Sequence, residues 1–169
     1  MPPRALFFLL AVLIGMVGCA HYHLGTGGTP GFHTLYLAPV QNRAEIPQAT
    51  ALVSAQLREA FLRDGRVALA ASPAAADATL TVTLAKYSRE TLTALPADTG
   101  RARKFGLTLD ATATLRDNRT GQLLFENRPL PVARQIFTDS GQLQAEYDAL
   151  PLLADQLAKA ATAAALDVW

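Results

Sequence analysis

The sequence is poor in the residues that most often carry chemistry. It has one cysteine, Cys19, in 169 residues, so no disulfide can form within the chain and the fold must be held by packing. Its 3 histidines, His21, His23 and His33, all precede residue 34, which leaves the rest of the chain without an imidazole to serve as general base. Charge of one sign is missing too. Lys and Arg total 15 against 14 for Asp and Glu, and so even a balance excludes the strong basic field that nucleic acid requires. Beyond residue 18 no apolar run approaches the ~20 residues of a membrane-spanning helix. The carboxylates Asp77, Glu90, Asp110, Asp117 and Glu126 are scattered without metal-ligand spacing. Gly25, Gly27 and Gly28 precede a strand instead of following one and opening a helix, so they do not form a phosphate-cradling loop. The expectation is a protein without catalysis, cofactor or metal.

What is present begins with a leader. Arg4 precedes the uncharged apolar run from Ala5 to Val17, and small residues close it, the three parts of a bacterial export signal. Cys19 stands at the junction between this run and a polar, glycine-rich stretch. A thiol there is either the first residue of a lipidated mature chain or a cysteine that falls near the end of an ordinary secretory signal. Lipidation would remove an oxidisable free thiol and supply an anchor, and two or more acyl chains hold a protein stably on a membrane. The chain therefore divides into a signal peptide over residues 1–18, a lipidated flexible tether over 19–33, and a single domain over 34–169. His21 and His23 read as tether, since they lack a third ligand for a metal.

Within the domain, Leu35 to Val40 alternates as a first strand, ended by Pro39 and the polar Gln41, Asn42 and Arg43. Pro47 to Asp64 takes a helical period, with Val53, Leu57, Ala60 and Phe61 on one face and Gly65 as the stop. Val67 to Leu69 is a short strand. Leu80, Val82 and Leu84 alternate with threonines, as do Phe105, Leu107, Leu109, Ala111, Ala113 and Leu115; period two with Thr79, Thr81, Thr83, Thr108, Thr112 and Thr114 on the outer face predicts antiparallel strands buried on one side. A long loop is expected over Ala94 to Lys104, a hairpin turn over Asp117 to Gly121, and a last strand from Leu123 toward Val132, made an edge or a bulge by Pro129 and Pro131. Leu143, Tyr147, Leu150, Ala154, Leu157, Ala161, Ala164 and Val168 share one stripe of a final helix, with a kink or restart at Pro151. The fold class is α+β: a two-layer sandwich of a mainly antiparallel sheet of four or five strands with both helices on one face, in the order β-α-β-β-β-β-α.

Two surfaces could act as sites. Arg101, Arg103 and Lys104 at the end of the long loop, with Lys86 and Arg89 on the strand before it, could meet and hold phosphate groups, or the loop is simply solvated. The threonine face either meets water or lies against a partner's polar surface.

Met16-Val17-Gly18-Cys19 resembles a lipobox with Met in place of the usual Leu. It is followed by Cys19 to Leu24 and then, in order, by LYLAPVQNR, LREAFLRDGRVALA, AADATLTVTLAKYSRETL and FGLTLDATATLRDNRTGQLLFE. Taken together these stretches resemble the LptE family, the lipopolysaccharide-assembly lipoproteins of Gram-negative outer membranes, with Cys19 to Leu24 similar to the family's CGYxL start. The resemblance implies acylation of Cys19, residence in the outer membrane through the lipid anchor facing the periplasm, and a role as plug and assembly partner of the LptD β-barrel. It also implies binding of lipopolysaccharide, with the Arg101 to Lys104 loop between the corresponding strands. Ala20 follows Cys19, where some lipoproteins carry the aspartate of inner-membrane retention. The rival expectation is an envelope lipoprotein docking on another periplasmic secretion or cell-wall complex.

Overall fold

The computed structural model describes residues 30–94, 102–137 and 142–167. The signal peptide, Cys19 and most of the tether lie outside them. Six strands form one sheet against two helices, in the order β1 (Thr34–Leu37), β2 (Gln41–Asn42), α1 (Pro47–Asp64), β3 (Ala68–Leu69), β4 (Ala78–Ala94), β5 (Ala102–Asp117), β6 (Leu123–Phe137) and α2 (Gln142–Leu166). The spatial order is β3-β1-β4-β5-β6, with β2 also on β4. The three long strands β4, β5 and β6 run antiparallel, whereas β1, β2 and β3 pair parallel, because α1 carries the chain back across the sheet before β3.

The strand count exceeds the expected four or five at one place. The expected first strand, Leu35 to Val40, corresponds to β1 alone, and Gln41 and Asn42, read as its polar end, form the additional strand β2. Ala38 donates its N–H to the Leu80 carbonyl, Pro39 has none to give, and pairing with β4 resumes at Gln41 and ends with Arg43 N–H on the Leu84 carbonyl. The long loop expected over Ala94 to Lys104 is also shorter than that. β4 runs through Ala94 and β5 starts at Ala102, so Arg103 and Lys104 lie on a strand. Lys104 can sit in one of these strand ends because one face of the sheet is open. Irregular pairing at Leu84/Lys86 and Thr91/Thr93/Ala94 breaks the alternation that would have marked them.

Helix α1 starts at Pro47, whose missing N–H is no loss in a first turn, and stops at Gly65, with φ of 74° and its N–H on the Phe61 carbonyl. Ala49, Val53, Leu57 and Phe61 are its buried face. In β6, Pro129 and Pro131 stand opposite Thr112 and Asp110 on the outermost strand, where a missing N–H faces solvent. The bulge is a step earlier, where Asn127 takes φ of 47° and its N–H reaches Thr114 Oγ1 at 3.1 Å.

Helix α2 corrects the expected stripe. Ala154, Leu157 and Ala161 are buried as expected, but Leu143 and Tyr147 are 85% and 60% exposed, and Val168 lies outside the described residues. The buried face runs instead through Ala145, Ala149, Leu153, Ala154, Leu157, Ala158, Ala161, Thr162, Ala165 and Leu166. Small alanines let the helix backbone approach its neighbours closely, and leucines fill the gaps between them. The helix continues past Pro151 without a restart. The carbonyl of Tyr147, which loses its i+4 donor there, lies on the solvent side, since both residues are exposed.

The chain entering β1 is pinned to the start of β4. Asp77 Oδ2 accepts the N–H groups of His33 at 2.9 Å and Thr34 at 3.0 Å, and Thr34 Oγ1 accepts the Asp77 N–H at 2.8 Å. The N–H of His33, then that of Thr34, hold the Asp77 carboxyl below its ordinary value of 3.8. A depressed carboxyl stabilises the fold above its unfolded pKa, and that contribution disappears as pH falls through the lower folded value. The difference in melting temperature between the native chain and Asp77→Ala should therefore be constant near neutrality and shrink below about pH 3.8. A difference that widens in acid would refute this account.

Candidate functional site

The open face of the sheet is built from cross-strand rows. Thr81 stands opposite Thr114 and Thr83 opposite Thr112. Tyr36 neighbours Thr79, Thr79 neighbours Arg116, and Arg116 neighbours Leu123. The hydroxyls are half-buried, which fits a polar sheet surface and not a core.

Of the five predicted basic residues, Lys86, Arg89 and Lys104 have described side chains, and these are spread along the sheet and over both of its faces. The irregularity at Ala85 places Lys86 opposite Asp110 on the open face and turns Tyr87 toward the helices. Arg89, three residues on, pairs with Leu107 on the helix face. There its guanidinium meets Glu146 Oε1 of α2 at 2.5 Å and lies 5.6 Å from the centre of the Phe105 ring. Burial, and next the Glu146 carboxylate, push the Tyr87 phenol up, with Arg89 opposing. Lys104 is on the open face at the far end, its Nζ 5.7 Å from the centre of the Phe137 ring. The six residue steps from Lys104 to Asp110 span about 20 Å, so Lys86 does not reach Lys104. Arg101 lies outside the described residues, and Arg103 has its backbone in β5 with its side chain outside them.

Around Lys104 the far end is apolar as well as cationic. Leu92 lies over Gly106, where a Cβ would sit 3.5 Å from Leu92 Cδ1. Leu92 and Phe137 are 42% and 62% exposed. Sequence reasoning identified the cations and missed these partners, because an isolated Leu or Phe in a strand pattern reads as core.

At the opposite end, beside the Asp117 to Gly121 turn, the open face is hollow. A concavity of about 400 Å³ lies among Pro73, Thr79, Thr81, Thr114, Arg116, Asn118 and Leu123. Asn118 walls it, donating to the Pro73 carbonyl at 3.0 Å and the Ala76 carbonyl at 2.9 Å and accepting the Thr79 hydroxyl at 2.9 Å. The turn was legible in the sequence; Arg116 was not singled out, since a lone arginine before a turn carries no pattern.

The two ends are far apart. The fifteen steps of β5 from Ala102 to Asp117 correspond to about 50 Å. The chain enters at the hollow end, where Pro30, Gly31 and Phe32 lie against Asp117 and Leu124. Among the described residues no group of three His, Cys, Asp or Glu could hold a metal, and no helix is long and apolar enough to cross a membrane.

Comparison with known proteins adds the following. The family model described as "LptE: Lipopolysaccharide-assembly" matches residues 32–161. No curated protein matches the chain. An uncharacterized lipoprotein B from Nitrosomonas europaea is similar in structure, with a TM-score of 0.55 and 17% identity over 86% of this chain and 88% of that one. A minor lipoprotein from Acinetobacter baumannii has a TM-score of 0.50 and 23% identity over 75% and 86%. A hypothetical protein from Chlamydia trachomatis has a TM-score of 0.52 and 11% identity over 80% and 96%. At these identities the likeness concerns the fold.

Proposed function

Because the chain belongs to the LptE family of lipopolysaccharide assembly, we propose that it is an outer-membrane lipoprotein, acylated at Cys19 and facing the periplasm, that plugs and helps assemble an LptD-type β-barrel and takes part in carrying lipopolysaccharide to the cell surface. Its work in this reading is binding and not catalysis.

The observation that carries the reading is the family match over 32–161, and the shape of the domain supports it. The tether enters at one end of a sheet about 50 Å long, and the cationic, apolar end lies at the other. A domain held by its first residue can then place Lys104, Leu92 and Phe137 well away from the leaflet that holds it. A polar threonine face suits the polar interior of a barrel. Lipopolysaccharide offers phosphates to a lysine and acyl chains to exposed Leu and Phe, so the mixed end suits such a ligand.

The test is co-purification from detergent-solubilised membranes. A large β-barrel in near-stoichiometric yield is expected; a different envelope complex in its place would favour the docking reading and sink this one. For the ligand, Arg101, Arg103 and Lys104 changed together to alanine should weaken lipopolysaccharide binding about tenfold, the order of one lost charge-assisted hydrogen bond, with the circular dichroism spectrum unchanged. Unaltered affinity would assign those charges to solvation alone.

A further inference from the structure

The hollow at the turn end of the open face is about 40 Å along β5 from Lys104, counted to Arg116, and the proposed function assigns it no ligand. Arg116, Thr81 and Thr114 each have a hydrogen-bond donor left to give there. Arg116 is exposed and makes no hydrogen bond or ion pair among the described residues. Thr114 Oγ1 accepts the Asn127 N–H at 3.1 Å, which occupies a lone pair and leaves its own proton to give. Thr81, directly across from Thr114, has no side-chain partner among the described residues. The carboxylates nearest in sequence are engaged elsewhere. Asp117 Oδ1 accepts the N–H groups of Arg119 and Thr120, and Asp77 accepts those of His33 and Thr34. The wall is rigid, because three hydrogen bonds hold Asn118.

A planar guanidinium presents two parallel N–H groups, and two hydroxyls on adjoining strands add further donors. A carboxylate turns both of its oxygens to the guanidinium fork in one plane, whereas a tetrahedral phosphate monoester keeps a further non-bridging oxygen out of that plane for the hydroxyls. The volume of about 400 Å³ is many times the ~30 Å³ of a water molecule, so an inorganic ion alone would leave it mostly empty. The remaining wall carries Pro73 and Leu123, which offer apolar contact to the carbon side of a compact group. We propose that this hollow is a binding site for a phosphate monoester with a compact organic group, held by Arg116, Thr81 and Thr114. The site shares Thr81 and Thr114 with the threonine face that the barrel reading uses, and none of the cationic-end residues offered for lipopolysaccharide, so it does not rest on that ligand assignment.

The test is NMR of the full chain in detergent micelles, following the Arg116 Nε–H and the Thr81 and Thr114 amides. Inorganic phosphate, glucose 1-phosphate, neutral glucose and nanodiscs containing phosphatidic acid are each titrated. Glucose 1-phosphate should give saturable shifts at all three positions and bind at least about threefold more tightly than inorganic phosphate, while glucose gives none. Arg116→Gln should raise Kd about tenfold or more, and Thr81→Val with Thr114→Val about threefold, as expected for lost donors to a charged ligand. A response to phosphatidic acid would identify lipid headgroups as a source, and a response to glucose 1-phosphate alone a soluble one; either supports the site. No saturable shift with any phosphate probe would overturn it. So would affinities that neither the Arg116 variant nor the threonine double variant alters, or an equal response to glucose.

Discussion

Replacing Phe61 by alanine is expected to lower the unfolding free energy by about 3–5 kcal/mol, the range for a large aromatic removed from a core. Phe61 is fully buried and lies in the last turn of α1, where its carbonyl also accepts the N–H of Gly65. Its ring belongs to the same buried cluster as Leu35 of β1, Leu80 of β4 and Leu157 of α2, so both helices and the sheet lose contacts together. The site offers little relief by collapse. Helical residues and strand residues around it are fixed by their own backbone hydrogen bonds, and α2 already approaches closely on its alanine face. Such a loss is a large part of the ~5–15 kcal/mol that stabilises an ordinary domain, and it should appear as a marked fall in the urea midpoint with an unchanged slope. Leu62, the next residue, is 64% exposed, and Leu62→Ala should change the unfolding free energy by under about 0.5 kcal/mol. Comparable losses at both positions would contradict the packing described.

The second large effect concerns place and not stability. On the proposed acylation, Cys19→Ala should move the protein from the membrane fraction to the soluble fraction, with its melting temperature unchanged. The physical basis is the separation between anchor and fold. The first described residues, from Pro30, are already tied to the domain: His33 and Thr34 bond Asp77, and Phe32 is buried in the core. Nothing in that clasp needs Cys19. From Cys19 to Pro30 the chain can extend about 3.3 Å per residue, a reach of roughly 36 Å, so the anchor can let the domain stand clear of the lipid surface. One acyl chain would give only marginal attachment, whereas two or more hold firmly, and removal of the thiol removes the attachment point. A variant that remains in the membrane fraction would return Cys19 to the role of a cysteine near an ordinary signal. A variant that unfolds would mean that tether and domain are not separable.

Much of the fold could be read locally. Threonines alternating with Leu, Val and Ala define β4 and β5 because a sheet with one open face imposes period two on its sequence. Pro47 and Gly65 bound α1 because each suits the backbone of one helix end. The spacing of Lys86 and Arg89 also held a signal: an odd interval places two strand residues on opposite faces. Grouping them as one patch passed over it.

By itself the sequence determined the sheet-and-helix order, the buried face of α1, the open threonine face and the absence of imidazoles and thiols beyond residue 33; each is a property of a short window or of composition. Only the tertiary structure decided which face of α2 is buried, because leucine and alanine occur on more than one side of that helix and the neighbours choose the side that packs closest. Tertiary pairing likewise revealed the irregularity at Ala85, where one additional residue turns Tyr87 inward and Lys86 outward without changing the composition. It also assembled Arg116, Thr81 and Thr114 around one hollow, since strands pair residues by register and not by proximity in the chain.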